Sequence, residues 1–155
     1  MHVMTKKSEK SALALSREVA GNCACFKSRQ TARLITRAYE EAIKPTGLKA
    51  TQFTLLTAVV YAQGAATLTD LAENLGMDRT TLSRNLRPLE RQGLITISAE
   101  GYRRSRHVDI TPTGEQLLAE AVPLWRRAQQ QLKSSLGAEA WDGFHRHMAL
   151  VASVA

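Results

Sequence analysis

The chain is poor in everything that would tie it to a membrane, a disulfide scaffold or a known catalytic centre. It has two cysteines, Cys23 and Cys25, too few and too close together to staple a small fold, and the expected compartment is a reducing cytoplasm. No apolar run approaches the roughly 20 residues that cross a bilayer, and no membrane partner is expected. The lysines before Ala12 to Leu15 look superficially like a secretory signal, but the apolar run is short and is interrupted at once by Arg17 and Glu18. There is no Gly-rich phosphate loop, no HExxH and no GxSxG. An enzyme is not expected, and no catalytic residue or cofactor is assigned. His145 and His147 point to different sides of a helix, so they make no metal pair, and no metal is expected.

What is present is positive charge. The 155 residues carry 21 Lys and Arg against 14 Asp and Glu, a formal net charge of +7, which favours a polyanionic partner. The excess is concentrated. Between Asp78 and His107 seven arginines face three acids, more than half of the surplus in 30 residues. At 44% hydrophobic content the chain can still bury a core, as one domain or two small lobes.

The centre of that basic region is Thr67 to Leu94, TLTDLAENLGMDRTTLSRNLRPLERQGL, which reads as two short helices and a tight turn. The first takes Thr69 as N-cap and packs on Leu71, Ala72 and Leu75, and Gly76 supplies the turn. The second opens at Asp78, a good N-cap, and runs to Gln92 before Gly93. At about 100° per residue Leu82, Leu86 and Leu89 share one sector. Thr80, Arg84, Arg87 and Arg91 fall opposite, with Ser83 at the edge. Arginine can donate two hydrogen bonds to a guanine edge, and Ser and Thr can bond to bases or phosphates, so the pattern suits a recognition helix on double-stranded DNA. Arg79 and Thr81, in its first turn, complete the candidate set.

The rest of the chain frames this motif. Residues 1–20 read as a polar arm or a loosely held helix. From Asn22 to Ile43 Cys25, Ser28, Ala32, Ile35, Tyr39 and Ala42 recur every three or four residues, a long helix with one buried stripe that Pro45 and Gly47 stop. Thr51 caps a central helix carrying Phe53, Leu56, Val59 and Val60. After the two-helix motif, LITIS and HVDIT flank the basic loop AEGYRRSR, a β-hairpin able to lay Arg103, Arg104 and Arg106 along DNA. Thr111-Pro112 starts a helix with Leu118, Ala121, Val122, Trp125, Ala128 and Leu132 on one stripe, bent at Pro123. A last helix, Ala138 to Val154, places Trp141, Phe144, Met148 and Val151 together. Such wide apolar faces exceed what a small domain can cover, so a homodimer built from the first and last helices is expected. The fold class is mostly α with a small β-hairpin wing. Residues 21–47 form the first dimerisation helix, 48–111 the winged helix-turn-helix lobe and 112–155 the C-terminal dimerisation helices.

Order, lengths and motifs, above all LTDLAENLGMDRTTLSRNLRPLERQGLI and RRSRHVDITPTGEQLL, resemble the MarR family of winged-helix transcriptional regulators. The resemblance covers nearly the whole chain after the arm. It implies a homodimer on a pseudo-palindromic operator, usually as a repressor, with Thr80, Ser83, Arg84 and Arg87 in the major groove and Arg104 in the minor groove. Tyr102 stands where the family's wing usually carries an acid, and Pro88 interrupts the recognition helix.

The same resemblance implies two modes of control. In one, a small amphipathic or aromatic effector enters between the dimerisation helices and the lobe, near Arg33, Tyr39, Phe53 and Trp125. In the other, Cys25 followed by Phe26, with Tyr39 further on, is similar to the organic-hydroperoxide sensors of the family. A helix N-terminus favours the reactive thiolate, and Cys23 would resolve the oxidised thiol, more easily across subunits than locally. Ala50 occupies the position of that pattern's second tyrosine. A winged-helix module that binds protein instead of DNA is the alternative of another class.

Overall fold

The computed structural model describes residues 4–62, 67–98 and 106–154. Among them run seven α-helices and a two-stranded sheet: α1 (Met4–Asn22), α2 (Ala24–Ile43), a 3-10 turn (Lys44–Thr46), α3 (Ala50–Tyr61), α4 (Leu68–Asn74), α5 (Arg79–Arg91), β1 (Ile95–Ile97), β2 (Val108–Ile110), α6 (Pro112–Leu136) and α7 (Ala138–Val154). None of these helices is long and apolar enough to cross a membrane. The chain divides into two compact units, residues 1–38 and 39–155.

In the first unit the expected polar arm is helical from Met4. Cys23 separates it from α2. The Cys23 N–H still donates to Val19 O at 2.8 Å, and Cys23 O accepts from Lys27 N at 3.1 Å, so the break is one residue wide. Along α2 the stripe from Cys25 through Ser28 and Ala32 is exposed in the single chain, and partial burial begins at Ile35.

The second unit holds the core. Ile43, Leu55, Leu56, Leu71, Leu82, Leu86, Leu89, Ile95 and Val108 are its largest fully buried side chains, and Ala121 joins them from α6. Removing side chains of this size from water supplies about 1.5–3 kcal/mol each. The central position expected for α3 holds, with Leu55 added to its buried face and Val60 turned outward. Its cap is Lys49 rather than Thr51: the Lys49 N–H donates to Gln52 Oε1 at 2.9 Å, and Ala50 N donates to Glu40 Oε1 at 3.3 Å. The helix thus starts two residues before the point at which Thr51 could cap it.

A second correction concerns α4. Its N-cap is Thr67, not Thr69. The spacing Thr67-x-x-Asp70 closes a reciprocal box, in which Thr67 Oγ1 accepts from Asp70 N at 3.2 Å and Asp70 Oδ2 accepts from Thr67 N at 2.8 Å. Leu68, buried at the first helical position, fixes that start. At the other end Gly76 sits at φ 61°, a left-handed conformation that suits glycine. It lets Met77 N reach Ala72 O at 2.8 Å and closes the turn.

The strands pair antiparallel with Ile95 opposite Ile110, Thr96 opposite Asp109 and Ile97 opposite Val108. A further bridge joins Thr67 to His107, supported by Leu68 N donating to Arg106 O at 2.9 Å. The base of the hairpin is thereby sewn to the start of α4. α6 runs unbroken through Pro123, which leaves the carbonyl of Ala119 without its usual helical donor.

Candidate nucleic-acid interface

Asp78 sets the start of α5 with both carboxylate oxygens. Oδ1 accepts from Thr81 N at 2.8 Å and Oδ2 from Thr81 Oγ1 at 2.7 Å. The hydrogen bonds from the Thr81 hydroxyl and then its backbone hold the Asp78 carboxyl below its ordinary range. Thr81 is half-buried and its hydroxyl proton is engaged, so of the sequence candidates it is the one directed at the cap.

Leu82, Leu86 and Leu89 are fully buried, and this fixes the rotation of α5. Arg79, Thr80, Arg84, Arg87 and Arg91 are exposed on the other side, with Ser83 half-buried at the border. Among the described residues the one ion pair is Lys44 with Glu41 at 3.2 Å, and no described acid pairs with an α5 guanidinium group. Pro88 sits inside the helix and gives Arg84 O no helical donor. The helix nevertheless continues to Arg91, because Leu89 is buried immediately after it.

At the hairpin base Ser98 is the organising residue. Its N–H donates to His107 O at 2.9 Å, its Oγ accepts from His107 N at 2.8 Å, and its carbonyl accepts from Arg106 Nε at 3.3 Å. Arg106 is thus placed at the base of the wing and half-buried. Arg103 and Arg104, like Tyr102 and Glu100, lie outside the described residues.

The exit from the wing locks the end of α5 to the start of α6. Thr111 Oγ1 donates to Gly93 O at 2.6 Å and accepts from Gly114 N at 3.1 Å, while Thr111 N donates to Leu94 O at 3.0 Å. Gly114 is buried so tightly that a Cβ there would lie 2.1 Å from Leu94 O. Sequence reading singled out Thr111 as a cap but gave Gly114 no role. A glycine two residues after a capping proline was the available signal.

An open groove of about 1030 Å³ lies between α3, α4 and α6, lined by Phe53, Thr57, Val60, Tyr61, Asp70, Asn74, Val122 and Trp125 among others. Phe53 and Trp125, both expected at a ligand site, stack with centroids 6.4 Å apart and planes at 26°. Tyr39 is not in its lining. It donates to Gln129 Oε1, and burial raises its phenol pKa. Arg33 belongs to the first unit. Sequence reasoning missed Tyr61, Asp70 and Asn74, because their shared cavity depends on how α3 and α4 cross.

In the first unit Cys23 Sγ accepts from Phe26 N at 3.4 Å, capping α2 with sulfur. Both thiols are free, Cys23 half-buried and Cys25 exposed. Among the described residues no His, Cys, Asp or Glu side chains gather in a metal-binding group.

Comparison with known proteins agrees with this geometry. The MarR family profile matches residues 46–105, from the 3-10 turn to the wing. The HTH-type transcriptional regulator Hpr of Exiguobacterium sibiricum is 30% identical over 95 residues, 61% of this chain and 50% of that protein, so the chain spans about half the length of this relative. The M. tuberculosis transcriptional regulator MosR is 35% identical, with a TM-score of 0.76 over 87% of this chain and 96% of that one. Its structure in complex with DNA gives a TM-score of 0.77 at 35% identity, over 86% of this chain and 96% of that one. The repressor CouR bound to a 23-mer DNA duplex shares the fold at 23% identity, with a TM-score of 0.77 over 88% of this chain and 96% of that one. The chain belongs to the MarR family of winged-helix transcriptional regulators.

Proposed function

We propose that the protein is a homodimeric, sequence-specific repressor that α5 seats in the major groove of a pseudo-palindromic operator. Regulators of this family are DNA-binding proteins, not enzymes. The observation that carries the reading is the exposed row Thr80, Arg84 and Arg87 on a capped helix whose opposite face is wholly buried. In it Arg84 and Arg87 read bases, Thr80, Ser83 and Arg79 contact bases or phosphates, and Thr81 acts through the cap. Arg104 and Arg103 extend the contact into the minor groove, and Arg106 steadies the wing. The likeness to MosR, solved with DNA at 35% identity, supports it.

Residues 21–47 and 112–155 would form the dimer around lobe 48–111. The exposed Phe26, Leu34, Leu136, Met148, Leu150 and Val151 are the apolar surface such a dimer would cover. It would set two α5 helices about 34–36 Å apart, one turn of DNA. The α3–α4–α6 groove would receive a small amphipathic or aromatic effector that favours a spacing the operator cannot accept.

The test is fluorescence anisotropy of the full chain on a duplex from its own upstream region, repeated over a salt series and with a scrambled duplex. Affinity should fall with log[salt] by a slope of about 0.9 per phosphate contacted, and the scrambled duplex should bind at least about tenfold more weakly. A flat salt profile without sequence preference would instead mark a protein-interaction module.

A second mode of control rests on the exposed Cys25 beside the sulfur-capped helix start at Cys23. An organic hydroperoxide would oxidise the Cys25 thiolate to a sulfenic acid and leave as the alcohol. A Cys23 thiol of the second subunit would then displace water to give a disulfide. Peroxide should release the duplex, dithiothreitol restore it, and Cys25→Ser abolish the response. A Cys25→Ser protein that still responds refutes this mode.

A further inference from the structure

We propose that the first unit carries a second, sequence-independent contact for duplex DNA: a row of arginines on α2 that meets phosphates apart from α5 and the wing. The charge of the chain is unevenly split between its two units. Residues 1–38 hold eight Lys and Arg against two Glu, a net +6 of the chain's +7. Residues 39–155 hold thirteen against twelve. The basic stretch from Asp78 to His107 is thus balanced by acids within its own unit, whereas the first unit keeps its surplus.

On α2 that surplus is ordered. Arg29, Arg33 and Arg37 recur every four residues and so share one sector of the helix, and all three are exposed. Among the described residues no acid pairs with them. The acids of α2 itself lie beyond residue 38 and are engaged there: Glu40 Oε1 accepts from Ala50 N at 3.3 Å, and Glu41 pairs with Lys44 at 3.2 Å. The row lies roughly 120° around the helix from the stripe of Cys25, Ser28, Ala32 and Ile35. A dimer built on that stripe would leave the arginines open.

The row suits the phosphate backbone of DNA. Steps of four residues set the three positions about 6 Å apart along the axis, a span of roughly 12 Å. A DNA strand offers a phosphate about every 3.4 Å of its axis, so the row laid along one strand passes about four of them. Guanidinium forks bind phosphate oxygens in pairs and stay charged across the physiological pH range. A lipid surface would instead ask for a bulky apolar face opposite the cations, and there α2 has Ala24, Thr31, Ile35 and Ala38. Contacts of this kind read no bases. They add affinity to whatever α5 selects.

The test is the salt dependence of anisotropy for the full chain on a duplex of about 40 bp, roughly four turns of DNA, from its own upstream region and on a scrambled one. Arg29→Gln/Arg33→Gln/Arg37→Gln should weaken both duplexes alike, by at least about tenfold at low salt. It should also lower the slope of log affinity against log[salt] by about 0.9 for each arginine in contact. The same three changed to Lys should keep the slope, since charge rather than packing sets it. A triple Gln slope equal to that of the wild type overturns the proposal, as does a triple Lys protein that loses as much slope as the triple Gln. So does a triple Gln protein that keeps its DNA slope but no longer binds vesicles of equal parts phosphatidylcholine and phosphatidylserine, which marks a lipid contact. If the triple Gln protein melts below the wild type, Arg33→Gln alone should still lower the slope by about 0.9, and an unchanged slope there overturns the proposal equally. A wild type with no preference for its own upstream duplex is a failure of base reading by α5, and the slope difference stands apart from it.

Discussion

Gly114→Ala is the sharpest test of how α5 is mounted. The new methyl carbon would lie 2.1 Å from Leu94 O and 2.8 Å from Ile110 Cγ1, distances no real contact tolerates. The nearer atom is backbone, so relief requires α6 to withdraw from the end of α5. That strains the hydrogen bonds of Thr111 to Gly93 O and Leu94 O. Overpacking costs typically about 1–3 kcal/mol, and a backbone obstacle puts this case at the upper end. For a chain of this size each kcal/mol lowers Tm by about 2–4 °C, so a loss of about 6–12 °C is expected. The assay is a thermal melt followed by circular dichroism, with Gly143→Ala as reference. A Cβ at Gly143, inside α7, would meet nothing nearer than 4.0 Å, and alanine there should raise stability by about 0.5–1 kcal/mol through helix propensity. A Gly114→Ala protein that melts within about 2 °C of the wild type would refute the clamp.

Arg84→Ala should cost about 1–3 kcal/mol of operator binding and relax the preference at one base position, read by anisotropy against a panel of singly substituted duplexes. If affinity and selectivity are both unchanged, Arg84 does not read a base. Leu86→Ala, at a fully buried site, should destabilise by about 2–5 kcal/mol in a denaturant melt; a loss below about 1 kcal/mol would place that residue outside the core. Acid should act through the caps. Asp70 and Asp78 both have carboxyls held below the ordinary 3.8, so the unfolded chain takes up their protons first and stability is lost as pH falls below that value. Asp78→Asn should flatten the Tm profile there, and an unaltered profile would mean that its ionised form contributes nothing.

Periodicity made the helices legible before any coordinates. Leu82, Leu86 and Leu89 at helical spacing fixed both the core face of α5 and, by opposition, its basic face. Alternation about a basic loop located both strands to within a residue at each end. Caps were harder, because Thr67 and Thr69 are equally good residues in isolation and the choice turns on Asp70 lying three positions beyond Thr67. The groove was half legible. Phe53 and Trp125 announce themselves as aromatics on apolar stripes, whereas Asp70 reads as an ordinary first-turn acid until α3 and α4 are placed side by side. Tyr39 and Arg33 follow from position in the chain alone, and position does not reveal that Tyr39 turns to Gln129. Gly114 was invisible because its importance lies in an atom it does not have.

The bridge from Thr67 to His107 has a consequence for how the lobe comes into being. It joins positions 40 residues apart, and Leu68 N is satisfied by Arg106 O across a similar span. The first turn of α4 thus finds one of its hydrogen-bond partners on the far side of the hairpin. Such non-local closure slows the search for the native state. A nascent chain released before residue 106 would lack this support at the start of α4.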